Sequence, residues 1–262
     1  KGRESNATKK CLFIHFSSIA VFGTVESMCG IAGIWDIQGA PLKDGAIDRM
    51  QKTLTHRGPD AFGVYALPYV AFAHTRLSII DVSSAGAQPF TSSDGRYVLV
   101  FNGEIYNYKE LREQYFSSET FSSSSDTEVL LHMLIRFGPE ALPKLRGMFA
   151  FAFFDTQENK MLLACDAFGK KPLYYSWKNK TFLFASEPKA LIASGYLEAK
   201  LDTHVVEKYL LHEYCPSPLS GFKDIYTLGA GQYMEITPDS QKIVRWYRLK
   251  ISPKSHISFQ NA

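Results

Sequence analysis

The run Met148-Phe149-Ala150-Phe151-Ala152-Phe153-Phe154-Asp155 is apolar at odd and even positions alike. Successive side chains of a strand point to opposite faces of its sheet, so a strand of this composition needs cover on both faces. That requirement excludes a half-solvated sheet and predicts a layered interior, with one sheet buried between a second sheet and helices.

Shorter strand-like runs recur at 62–66, 70–75, 97–101, 161–165, 173–177 and 181–185, punctuated by Gly, Pro, Asn or Asp. Another, rich in small residues, starts at Cys29-Gly30-Ile31-Ala32-Gly33-Ile34-Trp35. Short turns between the runs favour antiparallel pairing. Helical spacing is scarcer. It links Ile47, Met50 and Leu54, links Val129, Leu130, Met133, Leu134 and Phe137, and recurs in stretches at 108–115 and 203–212. The expected fold is two packed, mainly antiparallel sheets with helices outside. The serine-rich stretch 117–125 reads as a flexible surface loop, and Tyr214-Cys215-Pro216-Ser217-Pro218 as a connection between domains. The division expected is a leader at 1–28, a main domain at 29–195, and a connection with the truncated start of another domain at 196–262.

Composition narrows the partners. The formal charge of +3, from 29 basic and 26 acidic side chains, offers no excess of one sign for nucleic acid or an anionic membrane. A small molecule or a protein remains. The cysteines Cys11, Cys29, Cys165 and Cys215 form no C-x-x-C pair, so neither a metal site nor a disulfide framework is indicated and a reducing, cytoplasmic compartment is expected. The stretch 12–25 is broken by His15, Ser17, Ser18 and Gly23, well short of the roughly 18 to 20 apolar residues a membrane helix needs. Lys9 and Lys10 before it weakly resemble a signal peptide; upstream read-through, a propeptide and a targeting segment are the three readings of the leader.

Cys29 directly follows Met28, the first methionine of the chain. Removal of that methionine would leave a thiol and a free α-amine on one residue. With a pKa of about 7.7 to 8.0 such an amine can take the thiol proton and return it to a leaving group. An isolated Met-Cys-Gly triplet reads equally as a core cysteine in a strand. Likewise Asn102-Gly103 alone reads as a hairpin turn, and Ser125-Asp126-Thr127-Glu128 as a capping box opening a helix.

Taken together, Met28-Cys29-Gly30-Ile31, His56-Arg57-Gly58-Pro59-Asp60, Arg76-Leu77-Ser78-Ile79-Ile80-Asp81, Asn102-Gly103-Glu104-Ile105-Tyr106-Asn107, Ser125-Asp126-Thr127-Glu128 and Gly147-Met148-Phe149-Ala150-Phe151 resemble the class II glutamine amidotransferases, and within them the glutaminase domain of bacterial-type asparagine synthetases. The resemblance covers about residues 28–250. It implies an α+β Ntn-hydrolase fold, a four-layer α/β/β/α sandwich, with Cys29 as nucleophile. It implies that Asn102, through its side-chain NH₂, and Gly103, through its backbone N–H, stabilise the oxyanion. It implies L-glutamine as substrate, with Arg76 on the α-carboxylate, Asp126 on the α-ammonium, and Leu77, Ser78, Ile79, Ile80 and Glu104 completing the pocket. An acid in the first turn of a helix is favoured by the macrodipole, which would keep Asp126 ionised. His56 and His74 receive no role, the segment Arg57–Asp60 is taken as a structural turn, and Tyr174, Tyr175 and Trp177 are assigned to the core.

The glutaminase itself needs no cofactor. ATP and magnesium belong to a synthetase domain, own or separate, whose Ser-Gly-Gly-x-Asp-Ser loop has no counterpart here; a homodimer is among the assemblies allowed. The chain is thus expected to be the glutaminase half of an asparagine synthase. Cys165 stands before Asp166 where the family commonly has arginine, which puts local contacts there in doubt. Two alternatives stay open: the glutaminase of another class II amidotransferase, and a non-catalytic glutamine-binding or assembly module with an unprocessed N-terminus.

Overall fold

A computed structural model describes residues 28–77 and 86–251. The leader at 1–27 and the expected pocket residues Ser78, Ile79 and Ile80 lie outside the described residues.

Along the chain the elements are β1 (Gly30–Asp36), α1 (Ala46–Thr53), β2 (Ala61–Leu67), β3 (Val70–Arg76), β4 (Phe90–Thr91), β5 (Tyr97–Ile105), α2 (Tyr108–Phe116), α3 (Asp126–Phe137), a 3-10 segment (Gly138–Lys144), β6 (Gly147–Asp155), β7 (Lys160–Cys165), β8 (Tyr174–Lys178), β9 (Thr181–Ala185), α4 (Pro188–Ala193), α5 (Thr203–His212), β10 (Tyr226–Thr227), β11 (Gln232–Ile236) and β12 (Gln241–Arg245). They form two six-stranded sheets, ordered β10-β8-β9-β1-β3-β2 and β12-β11-β7-β6-β5-β4. Every strand pair is antiparallel.

The strand that demanded two covers has them. Ala150, Ala152 and Phe154 of β6 enter the core between the sheets, while Phe149, Phe151 and Phe153 face the layer holding α2 and α3. The alanines let the second sheet approach; Phe154 meets Trp35 edge-on at 5.3 Å and Phe72 at 5.8 Å across the gap. Each buried phenylalanine contributes about 1.5–3 kcal/mol of transfer free energy. On the far side, α1 and α4 cover the first sheet with Ala46, Met50, Leu54, Ala190 and Leu191 against Ala32, Ile34, Ala73 and Leu183. The order is therefore helix, sheet, sheet, helix, the four-layer Ntn-hydrolase sandwich.

Tyr175 lies in the inter-sheet core with Trp177 packed against it, and Tyr174 packs beneath α4, so all three aromatics are structural. The sheets run past the boundary expected at 195: β10 pairs with β8, and β11 joins β7 and carries β12. Met234 and Ile236 are buried there while Gln232, Tyr233 and Glu235 stay half exposed. This alternation is too brief to stand out in sequence.

Two local readings change. Asn102 and Gly103 make no turn; they continue β5 opposite Ala150 and Phe149 of β6. A side chain on Gly103 would put its Cβ 2.1 Å from the Met148 carbonyl oxygen, so glycine is demanded by the close approach of β6. At the start of α3, the Ser125 hydroxyl accepts from the Thr127 N–H at 3.0 Å, but Glu128 does not reach back to residue 125. Its carboxylate instead accepts from the N–H and Oγ of Ser122 (both 2.8 Å) and of Ser123 (2.7 and 2.6 Å). The serine-rich stretch is consequently anchored at this end, because short hydroxyl side chains can follow their backbone N–H groups onto one carboxylate.

Candidate active site

Cys29 sits at the head of β1, an interior strand, where Gly30 opposite Thr75 lets β3 come close; a Cβ on Gly30 would lie 2.6 Å from the Thr75 hydroxyl. Its thiol and the backbone of Leu77 bond reciprocally. Sγ donates to the Leu77 carbonyl at 3.5 Å, and the Leu77 N–H donates to Sγ at 3.4 Å. Burial pushes the thiol above its usual range, while the Leu77 backbone and the charges of Arg76, Arg57 and Lys171 pull the other way without prevailing. In this form Cys29 is a protonated thiol that needs a base.

Arg57 reaches the same residue. Its Nε donates to the Cys29 carbonyl at 3.0 Å and its NH1 to Glu187 Oε1 at 2.9 Å. Sequence reasoning left Arg57 in a structural turn, since nothing local tells that a guanidinium will fold back onto residue 29. Glu187, immediately before α4, also takes His56 at 2.8 Å and Lys189 at 3.0 Å.

Arg76 ends β3 and is buried at 9% exposure, with its charge felt at Cys29 and at His74. His74 is fully enclosed; burial, aided by Arg76 and opposed by a contact with the Phe101 backbone, brings its pKa down to about 3. It is a neutral ring at physiological pH and shares no hydrogen bond with Cys29.

On β5, Asn102 is 1% exposed and its side-chain NH₂ has no hydrogen-bond partner among the described residues. A buried amide donor left unpaired costs about 1–3 kcal/mol, which marks it as a group waiting for an acceptor. Three residues on, the Ile105 N–H donates to Asp126 Oδ2 at 2.9 Å. Burial raises the Asp126 carboxyl to about 6, with Glu104 adding to the rise and the Ile105 and Thr127 N–H groups opposing it. The helix N-terminus therefore does not hold this acid at its ordinary value against the effect of burial. Cys29, Leu77 and Arg76 thus gather on one sheet, and Asn102, Gly103, Glu104 and Asp126 on or against β5 of the other, where β1 and β3 pack on it.

Cys165, in place of the expected arginine, is buried in the inter-sheet core, so its thiol replaces no surface contact. The next residue organises a turn: Asp166 Oδ1 accepts from the N–H groups of Phe168 and Lys170, and Oδ2 from those of Phe149 and Lys171, at 3.0–3.1 Å.

The layered sandwich is the fold of solved amidotransferase structures. The structure of glutamine phosphoribosylpyrophosphate amidotransferase from Bacillus subtilis, complexed with ADP and GMP, shares this fold, with a TM-score of 0.63, 22% identity, and coverage of 83% of this chain and 49% of that one. A family model described as glutamine amidotransferase domain matches residues 28–247, and the chain belongs to that family. Asparagine synthetase [glutamine-hydrolyzing] 1 of Bacillus subtilis is 38% identical over 226 residues, covering 84% of this chain and 35% of that protein. Asparagine synthetase B [glutamine-hydrolyzing] of Escherichia coli is 42% identical over 168 residues, covering 63% and 30%. The chain spans about a third of the length of these relatives.

Proposed function

We propose that this domain hydrolyses glutamine to glutamate and ammonia with Cys29, once it is the first residue, as nucleophile. The observation that carries the assignment of roles is the buried, unpaired NH₂ of Asn102 beside Gly103. An oxyanion forming on the substrate carboxamide would satisfy that donor, and the Gly103 N–H would supply a second. The α-amine takes the thiol proton, sulfur attacks the carboxamide carbon, and the C–N bond breaks as the proton passes to ammonia. Water then cleaves the γ-glutamyl thioester. Arg76 holds the substrate carboxylate and Asp126 its ammonium, with Leu77 and Glu104 at the sides of the pocket; Ser78, Ile79 and Ile80 belong to the same proposal. Bringing an ammonium to Asp126 would draw its carboxyl back toward the ordinary range.

By analogy with the asparagine synthetases named above, the ammonia serves amidation of aspartate on a synthetase domain, where ATP and magnesium would be used. Cytoplasm is the compartment that suits a reactive thiol. The test is glutamate release by the chain beginning at Cys29, by the same chain with residues kept ahead of Cys29, and by Cys29→Ala. Only the first should turn over. Equal turnover by all three would remove Cys29 as the nucleophile, and turnover by none would leave the non-catalytic, glutamine-binding module as the better reading.

A further inference from the structure

Lys171 is only 5% exposed, which is unusual for a lysine. Asp166 Oδ2 accepts from its backbone N–H and from that of Phe149, both at 3.1 Å, so the segment is fastened to β6 opposite Gly103. From there the side chain runs to the N-terminal end of β1, where Nζ lies 2.7 Å from the Met28 sulfur. Met28 is bonded to the nitrogen of Cys29. We propose that Lys171 is a positioning residue of the glutaminase: with Met28 removed, its ammonium stands beside the new α-amine of Cys29 and keeps that amine neutral and able to accept a proton. This rests on the function proposed above.

The reasoning is electrostatic. An α-amine with an ordinary pKa of about 7.7 to 8.0 is mostly protonated at neutral pH and is then no base. A second cation within several ångströms disfavours its protonated form. Arg76, Arg57 and Lys171 each bring a positive charge to bear on Cys29. Arg57 is bonded to Glu187, which also engages His56 and Lys189, so its charge is partly balanced. Arg76 would be neutralised by the substrate carboxylate. His74 is uncharged, and the acids Glu104 and Asp126 stand on the β5 side. Lys171 is a cation in contact with residue 28 itself, and the same charge also favours the thiolate of Cys29.

The test compares the chain beginning at Cys29 with its Lys171→Met and Lys171→Arg variants, reading kcat/KM for glutamate release against pH, with the amine of the unmutated chain titrated by nitrogen-15 NMR. Lys171→Met should lose roughly tenfold at about pH 7 and recover toward about pH 9, its acidic limb moved to higher pH. Lys171→Arg should retain the original limb. The amine of the unmutated chain should titrate below the ordinary α-amino range. An unmoved limb in Lys171→Met, or an amine titrating in or above the ordinary range, overturns the proposal; the NMR arm decides if the variants fail to fold. Absence of glutamate release from the unmutated chain at every pH would instead refute the glutaminase reading, and the amine titration would still judge Lys171.

Discussion

Asp126 and Asn102 both bear a cost in the folded domain. Asp126 is raised from 3.8 to about 6, so its folded form favours the proton. A raised acid adds stability that is fully present below its unfolded pKa of about 3.9 and lost as pH rises through about 6, a difference on the order of 2–3 kcal/mol. Asp126→Asn should therefore leave the free domain as stable as before, or more stable, at neutral pH, while raising KM for glutamine at least tenfold; calorimetry and kinetics at about pH 7.5 check both. For the unmutated domain, KM should rise as pH falls below about 6, because a neutral carboxyl offers nothing to an ammonium. Asn102→Ala should reduce kcat by about 10²–10³ with a smaller effect on KM, since its donor meets charge only in the transition state.

The elements show what alternation can and cannot reveal. β6 was legible because both its faces are apolar, and β3 and β9 because Gly, Pro, Asn or Asp residues nearby punctuate their runs. β5 extends four residues past the expected end at 101, through Asn102 and Gly103. The turn propensity of that pair yields to a ladder with β6 that only glycine can complete, a tertiary demand invisible in a local window. α3 begins where its Ser-x-x-Glu pattern placed it, yet the partner of Glu128 was misread, since the pattern cannot tell which N–H the carboxylate will take. Glu128→Ala should cost about 2–3 kcal/mol in thermal or denaturant unfolding and speed amide exchange at residues 122–125; unchanged exchange would deny the anchor.

For the whole molecule, layer order followed from burial demands, whereas the closing strands did not, because β10, β11 and β12 are short and one face of each stays wet. They nonetheless supply Met234 and Ile236 to the inter-sheet core. A chain ending before Tyr226 should lose a cooperative thermal transition, whereas one ending just after β12 should keep it. The site followed the same division. The motifs that suggested Cys29, Arg76, Asn102 and Asp126 are local in sequence, and the structure brings these residues to the facing sides of the two sheets. The contacts of Arg57, Glu187 and Lys171 are not local, because each reaches residue 28 or 29, or a neighbour of it, from more than 25 residues away in sequence. The most direct measurement of the central claim is peptide mass spectrometry after rapid acid quench of the chain beginning at Cys29 with glutamine. A γ-glutamyl adduct on the Cys29 peptide is the result predicted; glutamate release with no adduct there, or with the adduct on another residue, would contradict it.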